Sequence, residues 1–187
     1  MSDRAAVEAV EIGVAWNLRG DPRRSSFVAA AESALDLALP TQPGASTRSA
    51  APGQGPLPAS LVLSLGPTSW LFVTGLHASV RDFDAARRGI NAARGALFDV
   101  SASQLAWSVT GNDAARVLNC ACPLDLDARS FPVGHCAQSL LGHVTALFYR
   151  PAASTFIVMV ARSLAADVKR DSQTFVDQTS TITQVGA

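Results

Sequence analysis

Ile12, Val14, Trp16 and Leu18 alternate with smaller or polar residues, the period of two that predicts a half-buried strand. Asp21 and Pro22 break that pattern. The next run, 26–39, changes period and sets Phe27, Ala31, Ala34, Leu35 and Ala38 on one helical face, with Ser25 or Ser26 as cap and Pro40 as stop. Residues 41–58 are rich in Gly, Pro, Ser and Thr and predict a flexible loop, because they offer little apolar area against the entropy of ordering. Deleting 45–55 is therefore expected to cost little.

Two strands follow, 61–65 and 70–73, joined by the turn Gly66-Pro67-Thr68-Ser69. Ser79 with Asp82 reads as a capping box opening a helix to about Arg94, with Phe83, Ala86, Ile90 and Ala93 inward and Gly95 past its end. Strands at 96–100 and 105–109, a short helix at 113–119 with Val117 and Leu118 inward, and strands at 135–141, 144–149 and 155–160 complete the pattern. Ser163 caps a last helix with Leu164, Val168 and Phe175 inward, and 178–187 reads as a frayed polar tail. Closely spaced strand pairs predict antiparallel hairpins: a single α+β domain over 1–187, mainly antiparallel sheet with packed helices.

Composition narrows the function classes. Fifteen basic and fifteen acidic residues cancel, so no whole-chain field points to nucleic acid or anionic membrane. Charged residues make up 16% of the chain and apolar ones 48%, against about 25% charged in an average soluble protein. That shortage of polar surface points to an apolar face covered by a partner. No run reaches the ~18 apolar residues that span a bilayer. The opening Met1-Ser2-Asp3-Arg4-Ala5 lacks a leader pattern, and three cysteines, an odd number, fit a reducing cytoplasm.

Cys120, Cys122, His135 and Cys136 form the densest group of potential ligands. Zinc sites usually present C-x(2–4)-C pairs, whereas this is C-x-C, and His135 and Cys136 fall on opposite faces of a strand. Buried, inert thiols are the preferred reading. No nucleophile signature surrounds a cysteine near His77, His135 or His143. Gly53 and Gly55 sit in the Pro-rich loop with no following helix, so they make no phosphate cradle. Asp125 and Asp127 read as turn residues rather than a catalytic pair. Trp16, Trp70 and Trp107 lie in strands, where core packing is the default. No catalytic, cofactor-binding or metal-ligating residue is assigned.

Three stretches say more: Leu65-Gly66-Pro67-Thr68-Ser69-Trp70-Leu71; Asp99-Val100-Ser101 with 105–112; and Cys122-Pro123-Leu124-Asp125-Leu126 with Phe131-Pro132-Val133-Gly134-His135-Cys136-Ala137-Gln138-Ser139-Leu140-Leu141. In this order they resemble the gamma subunit of heterotetrameric sarcosine oxidase over about 61–175, and more loosely over 14–43. That subunit in turn looks like a reduced relative of the glycine-cleavage T-protein fold. Two departures stand out: the segment 42–58 is longer than the resemblance leads one to expect, and His143 stands where a basic residue is expected.

The resemblance implies a non-catalytic subunit in a cytoplasmic assembly with alpha, beta and delta partners. The assembly demethylates sarcosine oxidatively, passes the one-carbon unit to tetrahydrofolate and forms hydrogen peroxide. FAD, FMN, NAD and tetrahydrofolate are expected on the partner subunits and none on this chain. The alternatives are a subunit of an oxidase or dehydrogenase for another N-methyl amino acid, and a stand-alone folate or one-carbon binder. The third stretch reads equally well as a structural loop and strand or as a docking face.

Overall fold

The computed structural model describes residues 5–51, 53, 55–76, 78 and 82–164. Strands Ala6–Val10 (β1) and Ile12–Arg19 (β2) are followed by helix Ser25–Leu35 (α1) and by strands Ser46–Arg48 (β3), Ser60–Gly66 (β4) and Ser69–Gly75 (β5). Helix Phe83–Ala92 (α2), strands Ala96–Asp99 (β6) and Gln104–Thr110 (β7), and helix Ala114–Asn119 (α3) come next. Strands Cys136–Leu141 (β8), Val144–Ala152 (β9) and Thr155–Ala161 (β10) follow.

The α+β expectation holds, with two five-stranded antiparallel sheets among the described residues rather than one. Sheet A runs β1-β7-β10-β9-β8 and sheet B runs β3-β4-β5-β2-β6. The sheets face each other through Ala15, Leu61, Leu63, Leu71 and Val73 of one, and Leu147, Tyr149, Ile157 and Met159 of the other. The outer face of sheet B carries α1 and α2 on Trp16, Leu18, Val62, Trp70, Phe72 and Leu97. The outer face of sheet A carries α3 and residues 120–132 on Ala146, Phe148, Phe156, Val158 and Val160. Sheets covered on both faces explain the unbroken apolar runs of β4, β5 and β10, since neighbouring residues point to different cores and both must be apolar.

Phe27 shows how tightly the helix layer sits. A side-chain carbon added at Gly20 or Gly95 would meet its ring at 2.2 or 2.6 Å, so both positions need the absence of one. Phe27 also packs on Trp70, with ring centroids 5.8 Å apart.

Several sequence expectations need correction. β1 was not expected; its residues alternate weakly because it is an exposed edge strand. α1 ends at Leu35, short of position 39, because Asp36 turns into the left-handed region (φ 55). Leu39, not Ala38, is buried. Neither Ser25 nor Ser26 caps α1: both lie inside it and Arg24 precedes it without a side-chain cap. Asp82 caps α2 by accepting from the Ala85 N–H at 2.7 Å, while Ser79 lies outside the described residues. The helix expected after Ser163 and the tail 178–187 also lie outside them; Ser163 itself is in a 3-10 turn, Arg162–Leu164.

The largest correction concerns 41–58. β3 lies within it and pairs with β4 through Ser46, Thr47 and Arg48. Gly44 N–H donates to Ser64 O and Ser64 N–H to Ala45 O, each at 2.9 Å. Leu57 is buried between the sheets. Composition misread this stretch because backbone pairing to an existing strand needs no apolar side chain.

Candidate interaction surface

The stretches that stand out in the sequence turn out to be fastenings. In the first, Trp70 buries its ring and its indole N–H donates to Pro40 O at 2.8 Å, tying the chain after α1 to sheet B. In the second, the Asp99 carboxylate accepts from the Ser101 N–H (2.9 Å) and hydroxyl (2.6 Å). The same hydroxyl oxygen accepts from Ala15 N–H at 2.9 Å. The chain crosses from sheet B back to sheet A just there, so Ser101 welds the crossing to β2.

The third stretch wraps Arg150, which is 5% exposed. Its guanidinium donates to the carbonyls of Leu126 (3.2 Å), Phe131 (2.8 Å) and Ala153, and stacks 5.0 Å over Phe156. Gly134 takes φ +87, a left-handed turn that suits glycine. Its N–H donates to Arg150 O, and Ser46 Oγ donates to its carbonyl at 2.6 Å. Asp125 accepts from Ser130 Oγ and Asp127 N–H, and these bonds hold its carboxyl below the usual range. Asp127 is lowered likewise by the Arg129 backbone N–H and side chain. Both act as turn residues here.

The Cys/His group does not converge. Cys122 is buried under sheet A, Cys136 between the sheets, and Cys120 is exposed. Burial pushes the Cys136 thiol up to about 12, far from a reactive thiolate. His135 is exposed, edge-on to Phe131. His143 is exposed in the β8–β9 turn, and His77 lies outside the described residues. Among the described residues no three His, Cys, Asp or Glu side chains gather as metal ligands. Gly53 and Gly55 remain in the β3–β4 connection. Trp16 packs on Phe72 and Phe83, and Trp107 is half-buried in β7.

Exposed apolar side chains and free strand edges are what remain. Phe98 on β6, Val133, Leu140 on β8 and Val7 on β1 are the exposed large hydrophobics among the described residues. Among the described residues, β6, β8 and β1 are each the last strand of a sheet. A cavity of about 700 Å³ opens where the chain changes sheets, lined by Val10, Ile12, Leu76, Ser101, Leu105 and Trp107, among others. Sequence reasoning missed Arg150 and Phe98. Nothing local marks Arg150, but Leu97 and Phe98 adjoin in a short strand, and two apolar neighbours there need two covered faces. Among the described residues, no helix is long and apolar enough to cross a membrane.

No family model and no curated protein matches the sequence. Solved structures do match the fold. A chain of the heterotetrameric sarcosine oxidase from Corynebacterium sp. U-96, in complex with pyrrole 2-carboxylate, superposes with a TM-score of 0.81 at 23% identity, over 97% of this chain and 87% of that one. The glycine cleavage system aminomethyltransferase T from Bartonella henselae gives 0.55 at 11% identity, over 90% of this chain but 45% of that one. This chain thus has the fold of a heterotetrameric sarcosine oxidase chain and, more distantly, that of part of the T-protein.

Proposed function

We propose that this chain is the gamma-type subunit of a heterotetrameric sarcosine oxidase, with no active site of its own. The observation that carries the reading is the agreement in extent: the shared fold takes in 97% of this chain and 87% of the oxidase chain. A T-protein-type folate binder is the second reading, and the fold shared with such a protein takes in 45% of its length. The fastening roles of the three stretches support a scaffold, since in each a side chain ties down distant backbone.

In this reading the alpha, beta and delta chains hold FAD, FMN, NAD and tetrahydrofolate and carry out the chemistry. Sarcosine is oxidised, its one-carbon unit passes to tetrahydrofolate, and dioxygen is reduced to hydrogen peroxide. The gamma chain contributes rigid surface on which those subunits assemble in the cytoplasm.

The test is to purify the chain alone and together with the alpha, beta and delta chains of its host. Alone it should carry no flavin absorbance and consume no oxygen with sarcosine. Together the four should co-purify in equal amounts with sarcosine-dependent peroxide formation. A yellow lone chain, or a complete enzyme that assembles without it, overturns the reading.

A further inference from the structure

Within the subunit reading, on which this inference rests, we propose that the outer edge of β6 docks an extended, acidic segment of a partner subunit. Among the described residues β6 pairs with β2 only. The Val100 N–H donates inward to Ala15 O, so by antiparallel alternation Leu97 and Asp99 turn their backbone N–H and C=O groups outward. An added strand would satisfy them, the usual fate of an unprotected edge.

The side chains define the occupant. Leu97 is buried under the helices, so Phe98 points to the opposite face, where it is 55% exposed, more than any other large hydrophobic among the described residues. Asn17 lies opposite Phe98 in the β2–β6 register, and Arg19 opposite Ala96. Arg19 donates from Nε to Asn17 Oδ1 at 3.3 Å, while no carboxylate among the described residues pairs with it. Ala96, opposite Arg19, places no large side chain between Arg19 and a strand added on the far side. Arg94, exposed two residues before β6, adds a second cation without a partner carboxylate among the described residues. The strand's own acid, Asp99, is held by Ser101 and keeps its charge, but by alternation it falls on the Leu97 face, away from Phe98 and Arg19.

The edge therefore offers backbone groups, an aromatic face and two positive charges, and its complement is an extended segment bearing carboxylate and apolar side chains. Past the end of β6, Ser101 forms part of the wall of the 700 Å³ cavity, where Ile12, Leu76 and Leu105 can receive an apolar anchor from the same segment.

The experiment co-expresses Phe98→Asp, the double variant Arg19→Glu/Arg94→Glu and, as a control on another sheet edge, Leu140→Asp, each with the alpha, beta and delta chains. The Phe98 and Arg variants should co-purify about tenfold less than the parent while keeping its melting temperature, and Leu140→Asp should co-purify normally. Loss with Leu140→Asp but not with Phe98→Asp overturns the proposal and leaves the subunit reading intact. A parent chain that fails to co-purify overturns both.

Discussion

The Arg150 guanidinium donates to the Phe131 carbonyl at 2.8 Å from a site almost closed to water. Two further carbonyls, of Leu126 and Ala153, accept from the same group, and Phe156 stacks beneath it. No carboxylate among the described residues forms an ion pair with it. Its charge is stabilised by carbonyl dipoles, and those carbonyls would be orphaned without it.

Arg150→Met should therefore destabilise the chain by about 3 kcal/mol, seen as a fall of roughly 6–12 °C in Tm. Arg150→Lys should recover less than half of this, because one ammonium cannot span carbonyls on three sides. A Met variant melting within about 2 °C of the parent would show that residues 126–131 are held by other means.

Deleting 45–55 should be costly. It removes β3, the Ala45 carbonyl that accepts from Ser64, and the Ser46 hydroxyl that donates to Gly134. At about 1 kcal/mol per net hydrogen bond, a loss of several kcal/mol follows. Urea unfolding of the shortened chain reads it directly, and an unchanged midpoint would mean that β3 contributes nothing.

Thiol labelling of the native chain should modify one of its three cysteines, the exposed Cys120. Cys122 and Cys136 should react only on unfolding, and Cys136 is further protected because burial raises its thiol to about 12. Rapid native labelling of all three would contradict the buried positions.

Acid should loosen the 120–132 turn. Asp125 and Asp127 have carboxyls held below their usual value, so their stabilisation is complete above the unfolded pKa of about 4 and fades as pH falls through the folded values. Asp125→Asn should lower the urea midpoint at pH 6, and the gap to the parent should close toward pH 3. A gap independent of pH would exclude the ionised carboxylate as the cause.

How far the candidate surface was legible follows from the same physics. The Asp-Val-Ser and F-P-x-G-H-C-A-Q stretches stand out in the sequence because their roles are local: a carboxylate two residues from a serine, and a glycine at a left-handed turn. Their partners, Ala15 and Arg150, are distant along the chain and carry no mark. Phe98 looks like any strand hydrophobe until the strand order shows that β6 ends its sheet.

Most strands, α2 and α3 were determined by the sequence itself, because alternation and helical periodicity are short-range consequences of which face must avoid water. The α+β class followed from close strand spacing. That the strands divide into two facing sheets, that Ser46–Arg48 joins one of them, and that β1 and β6 remain at edges was decided only by tertiary structure. Strand pairing joins residues far apart through backbone groups that every residue carries, so no side-chain pattern announces it.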